Sequence, residues 1–295
     1  MKIGLDLGGT KIEIIALDDN GTELLRKRIP TPQGNYPATL QAIANLVHVA
    51  EAELGQRGSI GIGTPGSLSK VTGRLKNSNS IHLNGQLILQ DLESLLQRSI
   101  RISNDANCFA LSEAMDGAAA GAEVVFGVII GTGTGAGIVV NKHVLTGPNG
   151  IAGEWGHNPL PWPTKEELPG PECYCGKHGC IETFLSGPGM ALLHHQLTGE
   201  LLTPDQIVAK VETGNTPCEL SLQLYENRLA RSLAHVINIL DPDVIVLGGG
   251  MSNIDRLYTN IPRLLPNWVF SDRVDTKLLK HRFGDSSGVR GAAWL

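Results

Sequence analysis

The sequence lacks the features that would send the chain into a membrane or out of the cell. It contains no run of about 18 uninterrupted apolar residues, the length that suggests a membrane-spanning helix. The first strand-like segment begins at Lys2, which leaves no room for the charged and apolar regions of a signal peptide. The sequence therefore predicts a soluble, cytoplasmic protein with no membrane partner.

An excess of positive charge is also missing. The 24 Lys and Arg residues are outnumbered by 29 Asp and Glu residues, and the formal net charge is -5. Because the chain offers no basic field to a polyanion, the sequence predicts no nucleic-acid partner. Low-complexity segments are lacking too. Glycine is abundant at 36 residues, and we expect these glycines in loops where the backbone approaches a neighbour closely.

At 295 residues, the chain is long enough for two lobes of about 120 to 170 residues each. A strand, a glycine-rich loop and a second strand occur in succession twice, at residues 2–17 and 124–140. This repetition predicts an α/β protein of duplicated topology, with two lobes facing each other across a cleft and ligands at the loops. Predicted helices cover residues 36–54, 91–97, 107–120, 219–240 and 254–264, and residues 141–186 are predicted to form a metal-stapled insertion.

Three of the five cysteines, Cys173, Cys175 and Cys180, lie within eight residues. With the imidazole of His157 they can form a tetrahedral Cys₃His zinc site. The alternative is a disulfide, but a CxC pair bridges poorly, and the odd number of cysteines without a signal peptide indicates a reducing compartment. His178 is the rival fourth ligand, although its two-residue separation from Cys180 makes joint coordination awkward.

Two carboxylates flank these ligands. Glu154 precedes His157 by three residues, and Glu182 follows Cys180 by two. Each carboxylate can accept hydrogen bonds from two hydroxyls, and the second nitrogen of a zinc-bound imidazole can donate to a third. The pattern predicts a pocket for a polyol, and the alternative is that both acids are solvated surface groups.

Two glycine loops predict a phosphate site. Residues 6–11 (DLGGTK) offer backbone N–H groups, the Thr10 hydroxyl and the Lys11 charge, while Asp6 can hold Mg²⁺. Residues 131–137 (GTGTGAG) form a second such loop, but the strand that follows excludes a dinucleotide fingerprint, and neither loop matches a Walker A sequence. We expect both loops to grip one triphosphate, and the three glycines 248–250 to lie against adenine. Ordinary glycine turns are the alternative at each place.

The segment Ser103-Asn104-Asp105-Ala106-Asn107 ends a predicted strand and opens a helix. Asp105 can accept the proton of a sugar hydroxyl as its oxygen attacks a γ-phosphorus. The alternative is that Asp105 or Asn107 caps the helix.

In combination, these motifs identify the chain as similar to the ROK family (repressors, open reading frames, kinases) over its whole length. The resemblance implies an actin-like ATPase (ribonuclease H-like) fold that binds Mg·ATP, and a homodimer. It implies a small lobe over residues 1–117, on which residues 285–295 pack, and a large lobe over 118–284 with the zinc-binding insertion at about 150–186.

The resemblance also assigns roles to residues, with Asp105 as the catalytic base and Mg·ATP and zinc as cofactors. The implied sugar-binding residues are Gly66, Asn79, Asn104, Asp105, Glu154, His157 and Glu182. The implied metal ligands are His157, Cys173, Cys175 and Cys180. The implied nucleotide-binding residues are Gly4, Leu5, Asp6, Leu7, Gly8, Gly9, Thr10, Lys11, Gly131, Thr132, Gly133, Thr134, Gly135, Ala136, Gly137, Gly248 and Gly249.

Residues 153–162, 240–253 and 284–295 resemble bacterial fructokinases of the mannofructokinase type. The prediction is therefore a kinase that phosphorylates fructose at its 6-hydroxyl, with mannose or glucose as further acceptors. One alternative is an N-acetylglucosamine kinase of the same family. A second is a sugar-responsive transcriptional regulator, which the acidic charge and the short segment before Asp6 disfavour.

Overall fold

The computed structural model describes residues 1–78 and 80–295. Its strands are β1 Lys2–Leu7, β2 Lys11–Leu17, β3 Glu23–Pro30, β4 Ser59–Thr64, β5 Ser67–Leu68, β6 Leu75–Lys76, β7 Arg101–Asn104, β8 Val124–Ile130, β9 Thr134–Val140, β10 His143–Val144, β11 Val244–Gly248 and β12 Lys277–Lys280. Its α-helices are α1 Tyr36–Leu54, α2 Ile88–Leu96, α3 Asp105–Met115, α4 Ile181–Leu185, α5 Gly187–Thr198, α6 Pro204–Glu212, α7 Thr216–Leu240, α8 Leu257–Leu264 and α9 Ser287–Trp294. Short 3₁₀ turns cover Ile81–Leu83, Trp155–His157, Lys165–Glu167, Gly250–Asn253, Leu265–Asn267 and Gly284–Ser286.

The two larger sheets repeat one topology, as the sequence predicts. The first has the order β3-β2-β1-β4-β7 and the second the order β10-β9-β8-β11-β12. In the first, β1 pairs antiparallel with β2 and parallel with β4, and β4 pairs parallel with β7. In the second, β9 pairs antiparallel with β10, while β8, β11 and β12 run parallel. Each sheet thus joins a hairpin edge to parallel strands whose carboxyl ends carry loops.

The described chain divides into two compact units. Unit 1 comprises Met1–Gly121, Gly137–Ala152 and Arg282–Leu295, and unit 2 comprises Ala122–Ala136 and Gly153–His281. Residues 137–152 thus group with unit 1, whereas the sequence analysis assigned them to the larger lobe. The bounds of the functional lobes stay a prediction.

The core of unit 1 lies on one face of its sheet. The side chains of Ile3, Leu5 and Leu7 alternate onto this face, where they are fully buried in one cluster with Ile43 and Val47 of α1. Helix α1 begins after Asn35, whose side-chain oxygen accepts a hydrogen bond from the Ala38 backbone N–H, and ends at Gly55 in the left-handed conformation. Capping and apolar spacing therefore account for the predicted helix.

The opposite face of the same sheet is covered by the C-terminal helix α9, and glycines make this possible. A Cβ atom on Gly4 would lie 2.1 Å from the Val289 carbonyl oxygen, and one on Gly61 would lie 1.8 Å from that of Ala292. On the helix itself, a Cβ on Gly291 would lie 1.6 Å from the Cys108 carbonyl oxygen of α3. Backbone therefore packs on backbone at these three positions.

Buried polar groups fix the same helix. The Glu113 carboxylate of α3 accepts hydrogen bonds from the Ser287 hydroxyl at 2.8 Å and from the Arg282 backbone N–H at 3.1 Å. Arg290 forms an ion pair with Asp116, and both side chains are largely buried. Removal of one partner from such a network leaves a buried polar group unsatisfied, so these contacts specify where α9 sits.

Several elements differ from the sequence-based expectations. Helix α3 begins at Asp105 and ends at Met115, whereas the apolar spacing predicts residues 107–120. Helices α4, α5, α6 and α9 were not predicted. For α5 and α6 a signal is present, because Ser186 and Thr203 act as N-caps and a proline occupies the first turn of each. In the described residues, no helix is both long and apolar enough to cross a membrane.

We expect Gly291→Ala to lower the free energy of unfolding by about 1–3 kcal/mol or more, because the added methyl group would collide with α3. The matched control is Gly288→Ala on the same helix, where the nearest atom to an added Cβ, Asp6 Cγ, is 4.0 Å away. Better helix propensity should leave that variant unchanged or slightly more stable. Chemical denaturation measures both. Equal stabilities of the two variants would contradict the close packing of α9.

Candidate metal centre and phosphate loops

Four donor atoms from His157, Cys173, Cys175 and Cys180 all lie within 4.8 Å of one another. His157 Nδ1 is 3.6 Å from Cys173 Sγ, and Cys175 Sγ is 3.6 Å from Cys180 Sγ. A tetrahedral zinc with bonds of ~2.1 Å to nitrogen and ~2.3 Å to sulfur separates neighbouring ligand atoms by about 3.5–3.8 Å. The cysteines are free thiols. The cluster therefore has the donor set and the spacing of a zinc site, with His157 as its imidazole.

The acid–base chemistry of the clustered thiols also favours a bound cation. Burial raises the pKa of Cys180 to about 12, whereas the backbone N–H of Lys177 lowers the pKa of Cys175. Three thiols this close do not all ionise unless a positive charge neutralises them. A divalent metal would supply that charge.

Backbone contacts hold the two ligand segments together. The Cys173 N–H donates to the Lys177 carbonyl at 2.8 Å and closes the turn between Cys173 and Cys180. The Leu160 N–H donates to the Gly179 carbonyl at 2.9 Å, and the Ile181 N–H donates to the Asn158 carbonyl at 2.9 Å. The segment after His157 is thereby paired with the segment around Cys180.

A buried ion pair anchors the metal-binding insertion to helix α7. The Glu167 carboxylate accepts hydrogen bonds from Arg228 at 2.8 Å and from Arg231 at 2.7 Å. All three side chains are at least nine-tenths buried. Arg231 also donates to the Pro161 carbonyl at 3.0 Å. No local sequence pattern predicts this anchor, because its partners lie more than 60 residues apart.

Tyr174 lies between two ligand cysteines and contacts the other side of the imidazole. Its hydroxyl is 2.9 Å from His157 Nε2, and the two rings meet edge to face at 5.0 Å. The sequence predicts that this nitrogen contacts a sugar hydroxyl, whereas in the structure a protein hydroxyl lies at that place. Burial, followed by the charge of Glu182, raises the pKa of Tyr174 to about 12, so its hydroxyl stays protonated.

The two flanking carboxylates differ in their surroundings. Glu154 is exposed, whereas Glu182 is partly buried. Glu182 Oε2 accepts a hydrogen bond from the Thr134 backbone N–H at 2.8 Å. Thr134 belongs to the second predicted phosphate loop. Glu182 is therefore hydrogen-bonded within unit 2 and is not a free surface acid.

The second glycine loop is fixed in unit 2 by the same segments. Its turn is closed by a hydrogen bond from the Gly131 N–H to the Gly133 carbonyl at 2.9 Å, and the Gly187 N–H donates to the Gly131 carbonyl at 2.8 Å. A Cβ atom on Gly156 would lie 2.1 Å from the Thr134 carbonyl oxygen. Gly156, which precedes the candidate metal ligand His157, therefore packs directly against this loop.

The first glycine loop, in unit 1, is a tight hairpin in which the Gly8 N–H donates to the Lys11 carbonyl at 3.0 Å. Beside it, burial raises the pKa of Asp6 to about 6, with the charges of Asp105 and Glu13 acting in the same direction. A carboxyl group of this kind gains from a nearby cation, which favours its ionised form.

Asp105 is the first residue of α3, but it does not cap the helix. The cap is Asn104, whose side-chain oxygen accepts a hydrogen bond from the Asn107 N–H at 2.8 Å. Asp105 remains accessible to solvent and accepts a hydrogen bond from the Ala106 N–H at 2.8 Å. Although the residue is exposed, many protein atoms surround its carboxyl group. The resulting loss of hydration disfavours the charged form and raises the pKa of Asp105. The N-cap of α3 is therefore neither Asp105 nor Asn107, the two residues that the sequence suggested as alternatives.

Other predicted ligand residues have structural reasons for their identity. Gly249 has a φ of +78°, and its Cβ would lie 2.4 Å from the Ile130 carbonyl oxygen. Gly66 has a φ of +83°, and its Cβ would lie 2.4 Å from that of Lys76. Gly248 ends β11, and Gly137 packs against α3. Asn79 lies outside the described residues.

Besides Asp6, three of the predicted nucleotide-binding residues lie within strand β1. The side chains of Leu5 and Leu7 are fully buried, and Gly4 packs against α9. Only their backbone could contact a nucleotide. The ligand roles of all these residues stay predictions.

The duplicated sheets and their glycine loops define an α/β protein of the actin-like ATPase class. The model of the ROK family matches residues 2–295, and the chain belongs to this family. The structure is similar to the ROK hexokinase from Thermus thermophilus, with a TM-score of 0.88, 31% identity, and coverage of 100% of this chain and 97% of that one. It is also similar to a ROK family glucokinase from Streptomyces griseus in complex with glucose and AMPPNP, with a TM-score of 0.76, 25% identity, and coverage of 99% and 97%.

Curated relatives match the whole chain. An N-acetyl-D-glucosamine kinase from Pectobacterium atrosepticum is 41% identical over 299 residues, which cover 100% of this chain and 98% of the relative. One from Pasteurella multocida is 39% identical over 300 residues, with coverage of 100% and 99%. The predicted membership of the ROK family and the predicted fold are confirmed.

The prediction of a fructokinase is wrong, because the relatives that match the full chain carry a different substrate in their names. The physical reason is that the chemistry predicted from the motifs concerns features shared by all hexoses. Glycine loops recognise phosphate, and carboxylates recognise hydroxyl groups. Neither distinguishes fructose from an acetamido sugar.

We expect about one zinc ion per chain in protein purified without chelators, measured by elemental analysis. Cys175→Ser should lose most of the metal and lower the melting temperature, because it removes one of four ligands. The control is Cys218→Ala, at a buried cysteine of α7 outside the cluster, which should keep the metal. Metal-free wild-type protein that is fully folded would contradict the zinc assignment.

Proposed function

We propose that the protein is an ATP-dependent N-acetyl-D-glucosamine kinase that transfers the terminal phosphoryl group of ATP to the 6-hydroxyl of the sugar. The observation that carries this proposal is the 41% identity to the Pectobacterium N-acetyl-D-glucosamine kinase over the whole chain. The AMPPNP in the related Streptomyces glucokinase supports ATP as the phosphoryl donor. The site geometry supports each chemical role as follows.

Asp105 is the proposed general base. Its carboxylate is accessible and is not needed as a helix cap, since Asn104 has that role. Its raised pKa makes it a better proton acceptor than an ordinary aspartate. In the proposed step it takes the proton of the attacking hydroxyl as the new oxygen–phosphorus bond forms and the bond to the leaving diphosphate breaks.

The two glycine loops and Lys11 are the proposed phosphate ligands. Their backbone N–H groups can donate to phosphoryl oxygens, and the lysine adds a positive charge. Asp6 would hold Mg²⁺, directly or through water, and the ion when bound neutralises charge on the phosphates. The elevated pKa of Asp6 supports this, because a carboxyl group desolvated in the free protein is stabilised by a cation.

Glu154, Glu182 and His157 are the proposed ligands of the sugar in unit 2, and Asn104 and Gly66 are those in unit 1. Because Tyr174 occupies His157 Nε2, a sugar hydroxyl at that nitrogen would replace the tyrosine hydroxyl or bond to it. The zinc has a positional role in this proposal. It holds His157 and Cys180, and through them the neighbouring carboxylates.

Two further expectations from the family resemblance stay predictions. One is that the protein is a homodimer, and the other is that it is cytoplasmic. Size-exclusion chromatography with light scattering would test the first, and cell fractionation the second.

A series of kcat/KM values with ATP tests the proposed substrate. N-acetyl-D-glucosamine should exceed fructose, mannose and glucose by at least about 10-fold, since loss of one buried polar or apolar substrate contact costs ~1–3 kcal/mol in specificity. A coupled assay for ADP measures all four sugars under the same conditions. A higher value for any of the other three would overturn the proposal.

Asp105→Asn should lower kcat by about 10²- to 10⁴-fold, because the amide cannot accept the proton. Its affinity for N-acetyl-D-glucosamine, measured by calorimetry, should stay within about 3-fold of the wild type. The control is Asp19→Asn, at an exposed acid of unit 1, which should keep full turnover. Near-normal turnover of Asp105→Asn would remove this residue from the mechanism.

A further inference from the structure

The Glu182 carboxylate is hydrogen-bonded to the backbone of the second predicted phosphate loop, residues 131–137. Its Oε2 atom lies 2.8 Å from the Thr134 N atom, and a Cβ on Gly133 would lie 2.6 Å from the same oxygen. A side chain at residue 133 would therefore displace the carboxylate from this position. Gly133, Thr134 and Glu182 all belong to unit 2.

The contact is built into the surrounding backbone. Glu182 stands in the first turn of α4, two residues after Cys180, and its carbonyl accepts a hydrogen bond from the Ser186 N–H at 3.0 Å. The next residue, Gly187, donates to the Gly131 carbonyl at 2.8 Å. The loop and the segment that carries Glu182 are thus joined at two points, and the carboxylate is held at the Thr134 amide.

An amide N–H has one hydrogen to donate. While Glu182 accepts it, the Thr134 N–H is not available to a phosphoryl oxygen, and the carboxylate charge repels that oxygen. If sugar hydroxyls draw the carboxylate away from the loop, the amide is freed and the repulsion weakens. This step rests on the proposed function, in which the loop binds phosphate and Glu182 binds the sugar.

We propose that Glu182 couples sugar binding to nucleotide binding. In the sugar-free protein it blocks the Thr134 amide. When a sugar draws the carboxylate away, the amide becomes a donor to the terminal phosphoryl group. Sugar therefore strengthens nucleotide binding, and water is a poor acceptor because the loop is complete only when a sugar is bound.

The first test needs no sugar and therefore does not depend on which sugar is the substrate. Calorimetry measures the affinity for Mg·AMPPNP of the wild type, of Glu182→Gln, and of the control Glu172→Gln. The control removes the negative charge of Glu172, an exposed acid of the same insertion that has no proposed role in binding or catalysis. Glu182→Gln removes the repulsion, and we expect it to bind AMPPNP at least about 5-fold more tightly than the wild type. The control should match the wild type.

The second test adds saturating N-acetyl-D-glucosamine. The wild-type affinity for AMPPNP should rise by about 5-fold or more, and that of Glu182→Gln should change by less than about 2-fold. Hydrolysis of ATP without sugar should be faster in Glu182→Gln than in the wild type. A residue that only supported the fold would lower nucleotide affinity and the melting temperature together. Glu182→Ala, monitored by melting temperature and zinc content, provides a second variant.

The outcomes separate the two proposals. Equal AMPPNP affinity of Glu182→Gln and the wild type without sugar overturns the coupling role. So does an unchanged sugar effect in the variant. If N-acetyl-D-glucosamine is not phosphorylated by the wild type, the proposed substrate is wrong, and the sugar-free comparison still decides whether the charge of Glu182 opposes nucleotide binding.

Discussion

The convergence of one imidazole and three thiols on a single point is the constraint on which the candidate site depends. His157 and the cysteines 173–180 belong to separate segments, and their donor atoms meet within 4.8 Å. This constraint also limits the positions of two carboxylates. Glu154 lies three residues before His157, and Glu182 lies two residues after Cys180. The buried pair of Glu167 with Arg228 and Arg231 ties the same insertion to α7. Two independent attachments therefore hold the carboxylates, which a solvated loop alone would leave mobile.

In unit 1 the corresponding constraint is steric. Helix α9 reaches β1, β4 and α3 only because Gly4, Gly61 and Gly291 have no side chains to intervene. Gly291 packs against the carbonyl of Cys108, which lies one turn after Asp105 in α3. The packing of the C-terminal helix thus sets the position of the helix whose first residue is the proposed base. Any effect of this helix on the proposed base would be positional, and the helix is distant in sequence from the segment that holds Asp105.

Much of the fold could be predicted because its signals are local. The first two strands and the glycine turn between them fall within 17 residues, and alternation of apolar side chains fixes their pairing. The donor set of the metal cluster was also readable, since its three cysteines are clustered. Helix α9 was not readable, because its two glycines lower helix propensity and tertiary packing stabilises it instead.

The contacts of Tyr174 and Glu182 could not be predicted for a different reason. Their partners lie 17 and 48 residues away in the sequence, and nothing in the local pattern links them. A motif states which groups are present but not which atom each group faces. The same holds for Asn104, whose side chain takes the cap that the sequence left between Asp105 and Asn107.

The error over fructose shows where sugar specificity cannot reside. A carboxylate that accepts hydrogen bonds recognises hydroxyl groups, and every hexose presents several. Glu182 is constrained further, because its carboxylate also accepts a hydrogen bond from the Thr134 amide. Any change that tuned Glu182 to one sugar would also alter the phosphate loop. In the proposed kinase, discrimination of the acetamido group must therefore come from side chains outside the shared motifs.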